Sequence, residues 1–346
     1  MKRYEKNPII TSDMVKPSNP GYEVKGVFNP GAAVLGDEVI LLLRVAETCV
    51  QKEGFVAVPV IRIEKGRVNA EVLEFSLSDP EVSLQDTRGI SYKGTDYLST
   101  LSHIRLARSV DGYNFEIEGE PFLFPDAPEE VFGVEDPRVT FLEGFYYINY
   151  TVVSPDGWAT ALARTRDFKA VEKMGIIFCP ENKDVSIFPG KVNNRYHALH
   201  RPDNSIFGKP SIWYAESEDL LHWGGHRCLV RPKGDRWEDE KIGGGPPCVE
   251  TPEGWLQIYH GKAEDGGYSL FGLLLDLNDP CRILKRSKEP ILRPEADYEK
   301  KGFYGNCVFS NGLVEKDDGT LLIYYGASDC MTCVAETSVD EVLKML

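Results

Sequence analysis

The chain has 346 residues and a formal net charge of −15, with 42% hydrophobic and 11% aromatic residues. This composition indicates a globular protein with a large core and argues against a basic nucleic-acid-binding surface. No apolar run is long enough to span a bilayer, and the charged first residues are followed by no apolar stretch, so no secretory signal is predicted. We therefore predict a cytoplasmic protein with no membrane or nucleic-acid partner.

The eight cysteines are scattered along the chain and are predicted to be reduced, mostly buried thiols. Cys330 and Cys333 have the spacing of a redox or metal motif, but neither a second pair nor neighbouring histidines accompany them. We predict no metal site. Four histidines are interpreted as core or surface residues: His103, His197, His222 and His226.

Strand patterns dominate, and 32 glycines and 22 prolines supply turns throughout. One sequence pattern recurs: a polar or Gly/Pro segment, here called a strand mouth, is followed by an apolar strand, a turn and a second strand. The five mouths are residues 28–33, 135–138, 185–189, 244–247 and 306–309. Helical periodicity is convincing only at the C-terminus, where residues 338–346 predict a short helix.

The mouths from Asp136 onward recur roughly every 50–60 residues, which suits four-stranded propeller blades. Asn29 and Asp136, however, are 107 residues apart, and residues 85–90 between them resemble another mouth. The repeats therefore predict an all-β propeller with either five blades and a long insertion in the first, or six blades.

Inner strands of propeller blades line a central channel, so the mouth residues converge on one pocket. Asp136 precedes Pro137, which favours an extended backbone. Arg138 is then expected on the same side as Asp136, where it would lower the pKa of the aspartate. Alternation along the strand predicts that Glu135 faces the other way.

Four cations lie at or near different mouths: Lys183, Arg201, Lys241 and His260. Their mutual repulsion in one channel would be relieved by an anionic ligand, and Arg and Lys are the natural phosphate binders. Several separate surface ion pairs are the alternative.

At these residues the sequence resembles glycoside hydrolase family 130, the β-mannoside phosphorylases and related β-mannosidases. Its matching phrases occur in order over nearly the whole chain: residues 28–31 with Arg44, 135–138, 181–185 with 188–189, 199–202, 241–246, 259–261 and 324–329. The resemblance implies a five-bladed β-propeller with an insertion in the first blade and a short C-terminal helix. Residues 1–346 would then be a single catalytic domain.

The resemblance also implies an inverting reaction, in which Asp136 protonates the glycosidic oxygen through a mannosyl hydroxyl. Inorganic phosphate would take the place of the water activated by a second carboxylate in inverting glycosidases. Phosphate binding is then implied for Lys183, Arg201, Lys241 and His260. Substrate binding is implied for Asn29, Arg44, Glu135, Arg138, Asp184, His200 and Asp329.

The expected reaction is phosphorolysis of β-mannosides, with β-1,2-linked mannooligosaccharides favoured and α-mannose 1-phosphate as product. Phosphate is the co-substrate, and no other cofactor is expected. One departure is Lys183, where many members carry Arg, which binds phosphate in a bidentate way. Two alternatives stay open: a β-mannosidase that activates water with Glu47 or Glu135, and a carbohydrate-binding propeller without catalysis. Assembly as a homo-oligomer is also left open.

Overall fold

The computed structural model describes residues 1–86, 89–203 and 206–346, whose regular secondary structure is almost entirely β-strand. Its strands are β1 (Lys2–Arg3), β2 (Tyr22–Leu35), β3 (Glu38–Cys49), β4 (Phe55–Glu64), β5 (Arg67–Ser76), β6 (Val82–Asp86), β7 (Gly89–Tyr92), β8 (Thr95–Leu98), β9 (Leu101–Ser109), β10 (Glu116–Leu123), β11 (Gly133–Leu142), β12 (Phe145–Ser154), β13 (Gly157–Thr165), β14 (Glu172–Phe178), β15 (Asn182–Ile187), β16 (Tyr196–Pro202), β17 (Ile212–Ser217), β18 (Trp223–Val230), β19 (Lys241–Gly244), β20 (Val249–Thr251), β21 (Gly254–Lys262), β22 (Tyr268–Leu275), β23 (Ile283–Arg286), β24 (Val308–Glu315), β25 (Thr320–Ala327) and β26 (Met331–Ser338). The helices are α1 (Asp297–Lys300) and α2 (Val339–Lys344), with 3₁₀ turns at Ser12–Met14 and Pro128–Glu130.

These strands form five antiparallel units in chain order, which we call units I to V. Unit I is β2-β3-β9-β10 and unit II is β11-β12-β13-β14, joined into one sheet by a parallel bridge between Gly133 and Ser102. Unit III is β15-β16-β17-β18, and unit IV is β19-β21-β22-β23 with β20 also paired to β21. Unit V is β24-β25-β26-β1, so the N-terminal strand completes the C-terminal sheet. In the described residues, no sheet closes on itself.

The hydrophobic cores lie between the units. Five clusters of buried side chains join unit I to II, II to III, III to IV, IV to V, and V back to I. In the last of these, Leu41 and Leu43 of β3 pack with Leu322 and Tyr324 of β25. Each unit therefore buries both faces against its two neighbours.

The insertion in unit I carries β4 to β8. Strands β4 and β5 form a hairpin, and β6, β7 and β8 form a separate three-stranded sheet. The amide of Ile61 in β4 donates to the carbonyl of Val131 at 2.9 Å, which ties the hairpin to the segment before unit II. The additional mouth suggested by the repeats, residues 85–90, includes the end of β6 and the start of β7, and its residues Thr87 and Arg88 lie outside the described residues.

The second strand predicted after each mouth is present, as β3, β12, β16, β21 and β25, whereas residues 245–247 of the unit IV mouth lie between β19 and β20. The predicted C-terminal helix is confirmed as α2, capped by the Ser338 hydroxyl, which accepts from the amide of Glu341. Helix α1 had no clear sequence signal. Neither helix of the described residues is long and apolar enough to cross a membrane. All eight cysteines are free, four of them buried, three half-buried and Cys179 exposed.

Candidate active site

A bulge recurs in the first strands of units I, II and III. In each, two residues stand opposite one residue of the next strand, between the pairs Phe28–Arg44 and Gly31–Leu42 in unit I, for example. The first of the two bulged residues has a left-handed backbone: Asn29 (φ 48°), Asp136 (φ 49°) and Asp184 (φ 55°). Asn and Asp tolerate this conformation better than other side chains do. The bulges therefore present one polar side chain from each of three units.

Arg44 of β3 holds a pair of carboxylates. Its Nη1 donates to Asp136 Oδ1 at 3.0 Å, and its Nη2 donates to Glu135 Oε1 at 2.7 Å. Asn29 Nδ2 donates to the same Asp136 oxygen at 3.0 Å, and Arg44 Nε donates to Ser102 Oγ at 3.1 Å. The predicted residues Asn29, Arg44, Glu135 and Asp136 are thus in direct contact.

Two expectations about this strand were wrong because of the bulge, and a third is confirmed in part. Asp136 is not extended but left-handed. Glu135 does not face away, because the bulge interrupts strand alternation and both carboxylates reach one guanidinium. Arg138 makes no ion pair with the Asp136 carboxylate and donates from Nη1 to the Asp136 backbone oxygen at 3.4 Å, but its charge contributes to the lowered pKa of Asp136, as predicted.

The surroundings shift the pKa values of the two carboxylates, Asp136 and Glu135, in opposite directions. Burial acts to raise the pKa of Asp136, but Arg44 and Lys183 outweigh it and lower the pKa. Burial raises the pKa of Glu135, with Arg44 opposing. Asp329, which follows β25, is subject to the charges of both carboxylates, and burial raises its pKa to about 6. Burial therefore favours the protonated form of Glu135 and Asp329, whereas the neighbouring cations favour the ionised form of Asp136.

A second cluster is centred on Asp184. Arg201 Nε donates to Asp184 Oδ2 at 2.7 Å, Arg138 Nη2 donates to Oδ1 at 3.2 Å, and His260 Nε2 lies 3.3 Å from Oδ2. Asp203 accepts from Arg201 Nη1 at 3.0 Å. Burial acts to raise the pKa of Asp184, yet these cations hold it well below its usual range. Asp184 thus collects three basic side chains from units II, III and IV.

Lys241 belongs to the same cluster but has no carboxylate partner in the described part of the chain. Burial, reinforced by repulsion from Arg201, Lys183 and Lys262, lowers its pKa to about 7. Lys183 acts electrostatically on Lys241 and also on Glu135 and Asp136. Its charge therefore acts on both the carboxylate pair and the cation cluster. A bound anion would stabilise the charged form of Lys241, which burial alone disfavours.

The glycine run at residues 243–245 forms the floor of this cluster rather than a nucleotide-binding loop. The carbonyls of Gly244 and Gly245 each accept from Arg138 at 2.9 Å. A Cβ atom at Gly243 would lie 2.3 Å from Asp184 Oδ2 and 2.6 Å from His260 Nε2. Close approach, and not backbone freedom, therefore requires glycine at position 243.

Gly243→Ala is expected to push Asp184 and His260 apart, raising the KM for phosphate about tenfold or more and lowering the free energy of unfolding by about 1–3 kcal/mol. Gly224→Ala is the matched control, because a Cβ there would meet nothing within 4 Å. Phosphate kinetics and thermal unfolding of both variants check this. Unchanged phosphate kinetics in Gly243→Ala would show that the contact does not matter for the site.

His200 is the one predicted site residue that the described contacts place elsewhere. Its ring stacks on Phe178 with centroids 4.6 Å apart, and its nitrogens contact Asn182 and His226. Burial lowers its pKa to about 3, so the ring is neutral. It lies next to Arg201 in the chain but on the opposite face of β16, which matches strand alternation.

Three aromatic residues border the site and were not predicted. Phe309 packs on His260 with ring centroids 4.3 Å apart, and Tyr268 lies 5.9 Å from His260. Trp158 stands beside Lys183, whose Nζ is 5.4 Å from the centre of the indole ring. Trp158 and Tyr268 lie outside the five mouths, so the repeats give no sign that they reach the site, and only the fold places them there. In the described residues, no three His, Cys, Asp or Glu side chains are grouped so that they could hold a metal ion.

Comparisons with known proteins agree with this geometry. A family model for glycoside hydrolase family 130, described as β-1,4-mannooligosaccharide phosphorylase, matches residues 90–346. The chain is 44% identical to a β-1,2-mannobiose phosphorylase of Listeria innocua over 99% of its own length and 98% of that protein. It is 36% identical to a 1,2-β-oligomannan phosphorylase of a Thermoanaerobacter species, over 72% of this chain and 86% of that protein.

The solved structures give the same result for the fold. The structure of the Listeria innocua β-1,2-mannobiose phosphorylase, solved as its complex with β-1,2-mannobiose, superposes with a TM-score of 0.95 at 44% identity. The match covers 100% of this chain and 98% of that one. The insertion in unit I is therefore included in the similarity.

Proposed function

Because the chain belongs to glycoside hydrolase family 130, we propose that it catalyses the phosphorolysis of β-1,2-linked mannooligosaccharides to α-mannose 1-phosphate. The relative at 44% identity and the one at 36% both carry names that specify a β-1,2 linkage. The family model's description specifies β-1,4, but it covers less of the chain than the Listeria protein does. We therefore favour the β-1,2 linkage.

The observation that carries this proposal is a carboxylate pair beside a cluster in which basic side chains outnumber acidic side chains. Arg138 and Arg201 both pair with Asp184, which His260 also contacts, and only Arg201 has a second carboxylate partner, Asp203. Burial lowers the pKa of His260. Lys183 and Lys241 have no ion pair within the described residues. A phosphate dianion would supply the missing negative charge in a buried site where charge-assisted hydrogen bonds are strong.

Asp136 is the proposed proton donor. Its carboxylate is fixed by Asn29 and Arg44, so it can be held in line with a mannosyl hydroxyl that passes the proton to the leaving oxygen. The cations lower its pKa, whereas an acid must be protonated to act. Phosphate bound beside Lys183 would offset that positive charge and raise the proton affinity of Asp136. Binding of the phosphate nucleophile would then favour the protonated form of Asp136 that the reaction needs.

In the proposed reaction, a phosphate oxygen attacks the anomeric carbon from the face opposite the leaving group. The bond from this carbon to the glycosidic oxygen breaks, and that oxygen receives the proton of Asp136. The configuration inverts once, giving the α-phosphate from a β-mannoside. Arg201, Lys241 and His260 are proposed to hold the phosphate, with Lys183 at its side. Asn29, Arg44 and Asp329 are proposed to contact the sugar.

The hydrolase alternative requires a second carboxylate free to activate water. Glu47 lies three residues after Arg44 in a regularly paired stretch of β3, so it points to the other face of the sheet. It is fully buried, and its carboxylate accepts from the Ser18 amide at 2.6 Å. Glu135 is engaged by Arg44. Neither side chain suits activation of water, and this favours phosphate as the nucleophile.

The five units are proposed to form a closed five-bladed propeller. The cyclic order of the shared cores, in which unit V packs back on unit I, supports this arrangement. The site then lies at the central mouth, where the bulged strands of three units meet. A cytoplasmic location and a homo-oligomeric assembly stay predictions.

Product analysis tests the proposed function. β-1,2-Mannobiose, longer β-1,2 oligomers and β-1,4-mannobiose are incubated with and without inorganic phosphate. We expect mannose 1-phosphate from the β-1,2 substrates only when phosphate is present. Free mannose in both conditions would make the protein a hydrolase, and product only from the β-1,4 substrate would correct the linkage. No product from any substrate would leave a binding protein as the function.

A further inference from the structure

Lys183 occupies the junction of the two clusters. Its charge acts on three acids, Glu135, Asp136 and Asp329, and it repels Lys241. Along β15 it stands directly before the bulged residue Asp184, and its cross-strand partner is Arg201. The position of this one ammonium group therefore affects both the acid and the phosphate cluster.

No hydrogen bond or ion pair holds this ammonium within the described ranges of the chain. Its one described side-chain contact is with the ring of Trp158, 5.4 Å from the ring centre. Lysine has a long, flexible side chain and loses much rotamer freedom when it is fixed. Something must limit that freedom if the charge is to act reliably on both clusters.

The backbone that carries Trp158 is well fixed. It lies on β13, opposite Val153 of β12. Two residues further along the same face of β13, Thr160 Oγ1 donates to the carbonyl of Asn182 at 3.2 Å. This bond ties β13 to the start of β15, immediately before Lys183. The indole therefore reaches Lys183 from a strand that is attached to the same segment.

We propose that Trp158 is a positioning residue for the phosphorolysis reaction, whose indole face holds the Lys183 ammonium between the carboxylate pair and the cation cluster. This inference rests on the proposed function. An aromatic face attracts a cation without neutralising it, whereas a carboxylate in the same place would compete with phosphate for the lysine. The contact therefore fixes the charge and leaves it available to an anionic ligand.

The test uses Trp158→Phe, which keeps an aromatic face, and Trp158→Leu, which removes it. Trp158→Leu is expected to raise the KM for phosphate about tenfold, with a smaller change in the KM for mannobiose. Trp158→Phe is expected to recover most of the loss. Trp237→Leu is the matched control, because Arg236 stacks on that indole 4.5 Å from its centre and takes no part in the described site.

A pH profile gives a second readout that loss of packing alone would not move. When Lys183 is less well held, the acids that it stabilises in the ionised form gain proton affinity, and Lys241 is repelled less. The pKa values of all four groups, Glu135, Asp136, Asp329 and Lys241, then move upward. The optimum of kcat/KM is therefore expected at higher pH in Trp158→Leu than in the wild type.

A double-mutant cycle separates positioning from a general structural effect. If Trp158 acts through Lys183, then adding Trp158→Leu to Lys183→Met should change the KM for phosphate by less than about twofold. Independent, multiplying effects of the two substitutions would overturn the inference. If Trp158→Leu fails to fold, the same cycle is run with Trp158→Met, which also lacks an aromatic face, and the same criterion decides.

The wild-type assay distinguishes failure of this inference from failure of the proposed function. If the wild-type protein forms no mannose 1-phosphate, the proposed function and this inference are both wrong. The wild-type protein could instead catalyse phosphorolysis while Trp158→Leu keeps the same KM for phosphate and the same pH optimum. In that case only the inference on Trp158 is wrong.

Discussion

Asp136→Asn is expected to reduce phosphorolysis by roughly 10²–10⁴-fold, the usual contribution of a general acid. The amide cannot supply the proton, but its oxygen can still accept from Asn29 and Arg44, which bond to Asp136 Oδ1. Arg44 also keeps Glu135 as a counter-ion. We therefore expect the variant to fold and to bind mannobiose. Steady-state kinetics, calorimetric titration with mannobiose and thermal unfolding measure the three quantities.

Glu135→Gln is the matched comparison for this variant. Glu135 shares the same guanidinium but has no role as the acid in the proposed reaction, so its loss should leave much more activity than Asp136→Asn does. Full activity in Asp136→Asn would remove the assignment of the acid. A loss in Glu135→Gln as large as that in Asp136→Asn would indicate that the pair acts as one unit.

Lys241→Met is expected to raise the KM for phosphate by about 10–100-fold, with little change in the KM for mannobiose. Lys241 can be removed cleanly, because no carboxylate of the described residues is paired with it and none is left unpaired by the change. Loss of one charge-assisted contact to a buried anion is worth about 1.5–3 kcal/mol, which corresponds to this range. Initial rates at varied phosphate concentration measure the effect.

Lys285→Met is the matched control, since Lys285 lies on β23 of the same unit and is bound to Glu253 at 3.1 Å. A second readout is the pH dependence. The pKa of Lys241 is about 7, so its charge is present below this pH and is lost above it. The KM of the wild type for phosphate should rise with pH more steeply than that of Lys241→Met, and the titration of phosphate itself cancels in the comparison. Parallel pH dependences would contradict the role of Lys241.

The arrangement of the site gives a physical reason for the use of phosphate. Three acids and several cations are buried together, and each group changes the charge state of its neighbours. Asp184 neutralises part of the basic cluster and keeps Arg201 and His260 in place. Lys241 has no carboxylate partner in the described residues, so its charge is available to bind the ligand. A neutral water molecule would do nothing to balance this charge.

The sequence by itself determined the strand repeats, their boundaries at the five mouths and most of the residue set of the site. These features are local, since Gly and Pro turns and alternating apolar residues act over a few positions. The cations were identified from the sequence because each stands near the mouth of a repeated unit. Arg201 and His260 contact Asp184 directly, and Lys183 and Lys241 act electrostatically on each other and on neighbouring site residues.

Only the tertiary structure decided which side chains are partners. Strand alternation predicted that Glu135 and Asp136 point apart, but the bulge turns both toward Arg44. The same bulge sends Arg138 to Asp184 instead of Asp136. A bulge adds one residue to one strand, and its position depends on the register of two strands that are distant in the chain. Local pattern carries no such information, which is why the residues of this site could be found in the sequence while their pairing could not.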